Sequence, residues 1–169
     1  MDELNGTFPL DGCAVAENII VADDNAWFHS TNGCLINRNE KHLVCGCKNS
    51  TIPDDGSVLS IGPGAFYRCE SIECLDLSNV TKIGAEAMCG CIGLKEVVLN
   101  NNLENLERGV FDCCSSLERI ELPEKLVSID SCCFRLSGLK KISFKDEWDR
   151  YLKENHYDPY HRSGRQGRR

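Results

Sequence analysis

The stretch Ile61-Gly62-Pro63-Gly64-Ala65-Phe66-Tyr67-Arg68-Cys69 decides the fold, because it returns as Ile83-Gly84-Ala85-Glu86-Ala87-Met88-Cys89-Gly90-Cys91. A third copy runs through Leu106, Val110, Phe111 and Cys114. A fourth runs through Ile129, Cys133 and Phe134, with Ser137 in the place of the last cysteine. First positions 61, 83, 106 and 129 lie 22, 23 and 23 residues apart. Each copy continues with an apolar residue and an alternating pair: Ile72, Leu75, Leu77; Leu94, Val97, Leu99; Leu117, Ile120, Leu122; and Leu139, Ile142, Phe144. The fourth copy is one residue short between Phe134 and Leu139, and a further apolar residue stands three before each start, at Val58, Val80, Leu103 and Leu126. One such unit cannot bury its own apolar face, so the period predicts a solenoid whose neighbouring turns stack into one core.

A period of 22 to 23 residues carrying an L-x-L element belongs to the leucine-rich repeat class, in which each unit gives one short strand to a parallel sheet. In Leu75-Asp76-Leu77, Val97-Val98-Leu99 and Ile120-Glu121-Leu122 the outer residues point inward and the middle one outward, since side chains alternate along a strand. The predicted fold is a right-handed leucine-rich repeat coil of four full turns and a partial one, with a hairpin excursion near its start and a helical cap at its end. Two outward rows then cross the strands. One is Asn18, Cys74, Glu96, Arg119 and Lys141; the next is Ile20, Asp76, Val98, Glu121 and Ser143. Solenoids bind along the concave sheet, so these rows are the candidate ligand surface.

The pattern I-G-x-x-A-F-x-x-C-x-x-L-x-x-I-x-L-P resembles the BspA-type leucine-rich repeat, with Ile61 to Leu77 and Leu106 to Pro123 matching it well. Upstream, Glu17-Asn18-Ile19-Ile20-Val21 followed by Trp27 to Ile36 is similar to the hairpin-bearing variant of that repeat. The resemblance covers roughly residues 13 to 144. It implies a cell-surface or secreted protein of a host-associated microbe, but it does not fix a partner, because function lives in sites grafted on a fold.

The hairpin itself is readable from the residues. Cys34-Leu35-Ile36 and His42-Leu43-Val44 are strand-like, and Asn37 to Lys41 supplies turn residues between them. The domain reading is therefore a repeat domain over 1–144, holding a partial repeat at 8–33 and the hairpin at 34–52, with Cys13 and Leu10 in repeat positions. A capping helix follows at 145–160, where Trp148, Tyr151 and Leu152 share one face. Residues 161–169 form a disordered basic tail with four arginines and no acid.

Composition narrows the function classes. The chain has 169 residues, 41% of them apolar, and a formal charge of -7, which argues against nucleic acid as partner of the repeat body. The arginine tail is the one segment with RNA-binding chemistry. No uninterrupted apolar run approaches about 18 residues, so no membrane-spanning helix is predicted. Met1 to Gly6 is acidic and then polar, without the basic region and apolar core of a secretory signal. That predicts either a protein retained inside the cell or a piece of a longer product.

Twelve cysteines need an explanation, since a chain of this size folds without a disulfide framework. Cys13, Cys69, Cys91 and Cys114 occupy one repeat position, so they are predicted to stack inward as a ladder of reduced, packed thiols. Cys133 falls in the alanine slot. Cys89, Cys113 and Cys132 lie beside inward positions and are expected to be partly exposed. Cys34, Cys45 and Cys47 form the one cluster that could recruit a metal, but their spacing matches no usual zinc pattern, and no metal or cofactor is predicted.

Other chemistry finds little support. His29 precedes Ser30, but adjacent strand residues point apart and no acid is placed to orient the ring. His42, His156 and His161 read as surface residues. Asp23-Asp24-Asn25 and Asp54-Asp55-Gly56 fit turns better than a calcium loop, and Gly62-Pro63-Gly64 is a corner, not a phosphate loop. The glycosylation sequons at Asn5, Asn49 and Asn79 decide nothing. The expected function is a non-enzymatic protein- or glycan-binding module, or alternatively a structural spacer within a longer surface protein.

Overall fold

The computed structural model describes residues 15–144. Cys13, the helix expected at 145–160 and the tail lie outside that range, and no α-helix occurs among the described residues. The chain enters through an antiparallel meander of β1 (Phe28–Thr31), β2 (Cys34–Asn37) and β3 (His42–Gly46). The predicted hairpin is β2–β3, whose turn is held by Asn37 Oδ1 accepting the amides of Asn39 and Glu40 at 3.1 and 3.2 Å. The extra strand β1 follows from Asn32-Gly33, where φ values of 52° and 74° make the two-residue turn whose twist suits a hairpin.

From β3 the chain winds into a coil of about five turns. Short strands β4 (Ser60–Ile61), β6 (Lys82–Ile83), β8 (Asn105–Leu106) and β10 (Ser128–Ile129) form one side. The L-x-L segments are β5 (Cys74–Leu77), β7 (Glu96–Leu99), β9 (Arg119–Leu122) and β11 (Lys141–Phe144), and they form another. Pairing is parallel and in repeat register, with Leu75 beside Val97 and Ile120 beside Ile142. The sheet β1-β2-β3-β4-β6 joins the meander to the coil without a break.

The third side carries no strand and is still hydrogen-bonded. Phe66 N–H donates to Ala87 O at 2.8 Å, Met88 N–H to Val110 O at 3.1 Å and Phe111 N–H to Cys133 O at 2.8 Å. Two corners bend each turn. The fourth and eighth repeat positions take left-handed φ in every copy: Gly64, Glu86, Gly109 and Cys132 at the first corner, and Arg68, Gly90, Cys113 and Leu136 at the second. Five of these eight are not glycine, although the left-handed region disfavours a Cβ. At Gly90 an added Cβ would lie 3.0 Å from Arg68 Cγ, and at Gly109 the same distance from Glu86 Cγ, so a bare corner receives its neighbour's side chain.

Inside, the repeat positions stack as the sequence predicts. Phe66, Met88, Phe111 and Phe134 share one layer, and the rings of Phe111 and Phe134 stack 5.7 Å apart at 2°. Gly46 continues that layer into the meander, because a Cβ there would lie 2.1 Å from the Phe66 ring. The last described turn is less sealed: Ile129, Leu139 and Ile142 are only half-buried, with packing neighbours on one side among the described residues.

Candidate interaction face

Parallel register turns the outward strand positions into rows. Cys74 lies beside Glu96 and Asp76 beside Val98; Arg119 lies beside Lys141 and Glu121 beside Ser143. Arg119 Nη2 reaches Glu96 Oε1 at 3.6 Å, which joins the two strand pairs. Seven of the nine candidate residues, Asp76, Glu96, Val98, Arg119, Glu121, Lys141 and Ser143, are thus brought onto one surface. Asn18 and Ile20 belong to none of the paired strands: they sit in the strandless segment 15–27, where Ile20 is 85% exposed. One repeat ahead of β5 in sequence the chain runs Thr51-Ile52-Pro53, and proline has no amide to give a ladder.

A further row was not singled out from sequence. Glu73, Lys95, Glu118 and Lys140 stand just ahead of the outward positions and alternate in sign from turn to turn. Lys95 Nζ pairs with Glu73 Oε2 at 2.9 Å and Lys140 Nζ with Glu118 Oε1 at 2.6 Å. All four side chains are more than half exposed, so each pair is worth between zero and about 1 kcal/mol.

At the corner after the strands lies an open depression of about 550 Å³, lined by Val98, Asn100, Asn101, Asn102, Glu121 and Pro123 among others. Asn100 Nδ2 donates to Ser78 O, its Oδ1 accepts Asn102 N–H at 2.7 Å, and Lys125 Nζ donates to Asn102 Oδ1 at 2.7 Å. Two of the three asparagines therefore hold the corner, leaving Asn101 and the Val98 side chain, 54% exposed, open to solvent. The run Asn100-Asn101-Asn102 was the only sequence signal for it.

None of the eleven described cysteines is bridged, and the ladder forms over Cys69, Cys91 and Cys114. Each thiol points at the backbone of the preceding turn: Cys91 Sγ donates to Phe66 O at 3.1 Å and Cys114 Sγ to Met88 O at 3.2 Å, with a weaker 4.0 Å approach of Cys69 Sγ to Gly46 O. Burial pushes the Cys114 and Cys133 thiols up to about 12 and Cys91 higher still, so all three are neutral near pH 7. Ser137 departs from the pattern, donating to Phe134 O of its own turn at 2.8 Å. Cys89 and Cys113 are half-buried and Cys132 is exposed, as expected.

The cysteine cluster is packed instead of open. Cys34, Cys45 and Cys47 are all buried, Cys34 Sγ approaches Thr51 O at 3.5 Å, and burial raises Cys34 to about 11. No group of three His, Cys, Asp or Glu side chains among the described residues is placed to hold a metal.

His42 departs from its reading as a surface residue, while His156 and His161 lie outside the described residues. His42 is half-buried on β3, with Nδ1 2.8 Å from Ser60 Oγ and Nε2 against Gly62. No carboxylate among the described residues hydrogen-bonds its ring. Ser30 Oγ accepts Val21 N–H at 3.1 Å and does not meet His29. At a corner the buried Asp112 is capped by the exposed Arg135, whose Nε lies 3.2 and 3.1 Å from the two carboxylate oxygens. It ties the third turn to the fourth.

Three comparisons bear on this geometry. The family profile described as BspA type leucine rich repeat region matches residues 39–157 in six copies. No curated protein matches the chain in sequence. Among solved structures, a leucine-rich repeat protein from Bacteroides capillosus is 22% identical with a TM-score of 0.62, over 71% of this chain and 99% of that one. A leucine rich cell surface protein from Faecalibacterium prausnitzii is 18% identical with a TM-score of 0.63, over 76% of this chain and 42% of that one. The pneumococcal vaccine antigen PcpA is 21% identical with a TM-score of 0.64, over 75% of this chain and 33% of that one. At such identities the structures share a fold and nothing finer, but the profile covers well over half of the sequence: the chain belongs to the BspA-type leucine-rich repeat family.

Proposed function

We propose that the chain is a non-enzymatic binding module whose outward rows on β5, β7, β9 and β11, with the depression beside Val98, receive a protein or glycan. The observation that carries this reading is the exposed Val98, beside Asp76 in its row, at the edge of an open corner of about 550 Å³ that Glu121 also lines. A small apolar centre with a polar rim is the anatomy of a transient interface. The serine–histidine contact at Ser60 and His42 lies away from that depression and lacks an orienting acid, so it does not compete. Two structural relatives are named as a cell-surface protein and a vaccine antigen, which fits a module displayed outside the cell.

The test is binding of the purified chain to arrayed glycans and to immobilised extracellular proteins, with Val98→Asp and Arg119→Ala in parallel. Saturable binding that either substitution weakens by about tenfold supports the reading. Binding that neither changes would move the site elsewhere. Silence across both panels would leave the spacer role in its place.

A further inference from the structure

Charge on the sheet face is arranged to match its own reverse. Along the coil, the row ahead of the strands reads Glu73, Lys95, Glu118, Lys140, which is negative, positive, negative, positive. Turned end for end, the same row reads positive, negative, positive, negative. A two-fold axis lying between two sheet faces and parallel to the strands, midway between β7 and β9, performs that reversal and keeps strand direction. It sets Glu73 against Lys140 of a second copy and Lys95 against the second copy's Glu118. Every contact in the row is then between opposite charges. In the next row Glu96 meets the second copy's Arg119 and Arg119 its Glu96, while Cys74 meets Lys141.

We infer that the sheet face is self-complementary and pairs with a second copy of this chain, face to face, about an axis parallel to its strands. The inference rests on the reading of this face as the binding surface and names a partner for it. Exposure agrees: each of the six charged side chains already pairs with a neighbour on its own sheet, yet all are between 56% and 76% exposed, so a second copy can share them in a larger charge network. An isologous contact of this kind requires one patch to match itself, which a random arrangement of charges does not. The face is small. Four strands about 4.8 Å apart, each four residues long, cover much less than the roughly 800 Å² per partner of a stable interface. Association is therefore weak, with a Kd on the order of 100 μM to 1 mM, and it is carried by exposed ion pairs that salt screens.

The experiment is analytical ultracentrifugation of the full chain at low ionic strength and at about 0.5 M salt. Concentration-dependent dimer at low salt, weakened by about tenfold or more at high salt, is expected. Two double variants make the test specific. Glu73→Lys with Glu118→Lys makes the row all positive, and Lys95→Glu with Lys140→Glu makes it all negative. Each alone should remain monomeric, and an equimolar mixture should recover a one-to-one heterodimer. Recovery also shows that both variants fold. A short thiol-to-amine cross-linker should join Cys74 to Lys141 across the pair in the dimer band. A monomeric wild type, variants that dimerise like the wild type, or a mixture that fails to pair would overturn the inference. The binding reading is judged separately, by whether the glycan and protein panels respond to Val98→Asp.

Discussion

The meander at residues 28–46 and the coil from residue 58 onward solve the same packing problem by different means. In the meander, β1, β2 and β3 find their partners within a few residues, across Asn32-Gly33 and the Asn37–Lys41 turn. In the coil, each strand waits for a partner one repeat away. Local pairing can form early, whereas a turn of the coil has nothing to bury itself against until its neighbour exists. The two regions meet at Gly46, where the missing Cβ leaves the meander's floor open to the ring of Phe66.

The largest break should come from the coil's interior. Phe111→Ala removes a fully buried ring stacked on Phe134 and should cost about 3–5 kcal/mol, read from urea unfolding. At the junction, Gly46→Ala forces a methyl to within 2.1 Å of a ring that has nowhere to go, for an expected loss of about 2–3 kcal/mol. A cost below about 1 kcal/mol would mean that the meander shifts freely on the coil.

The thiols sharpen the comparison through pH. Burial raises the folded-state Cys114 and Cys133 values from 9.0 to about 12, so the folded chain holds these protons more tightly than the unfolded one. Their contribution is complete below pH 9 and is lost as pH rises from 9 toward 12, at up to about 1.4 kcal/mol per pH unit for each thiol. Replacing Cys114 with Val should flatten that alkaline slope in thermal melts. A slope unchanged by the substitution would show that the ladder does not carry it. The smallest effect is expected at a corner: Glu86→Gly, at φ 57°, relieves a left-handed side chain and should stabilise by up to about 1 kcal/mol, net of its half-buried pair with Arg108. Loss of stability there would mean that Glu86 packing over Gly109 outweighs the strain.

Much of the coil could be read before its structure because the same chemistry is written several times. The layers at Val58, Ile61, Phe66, Cys69, Ile72, Leu75 and Leu77 and their equivalents appear where periodicity places them, and alternation on four-residue strands fixes which side chains face out. The corners were harder. A left-handed position announces itself through glycine, as at Gly64 and Gly90, but Arg68, Cys113 and Leu136 adopt it because the neighbouring turn dictates the bend. Asn18 and Ile20 lie ahead of the paired strands, in a segment tied to the following turn by Lys48 N–H donating to Ala16 O at 3.3 Å. The depression at Asn100 to Asn102 depends on how one corner stacks against the next, and that is set by repeat length, not by the identity of any one residue.

The thirdfold pattern of hydrogen bonds from each turn to its successor also has a mechanical meaning. Parallel strands that run across the long axis present their bonds to a pulling force one turn at a time, so a chain stretched from its ends should peel from an exposed turn instead of rupturing as a block. Each released repeat would add roughly 75 Å of extended chain. A repeat protein built this way would lengthen in steps under load while its inner turns stay folded.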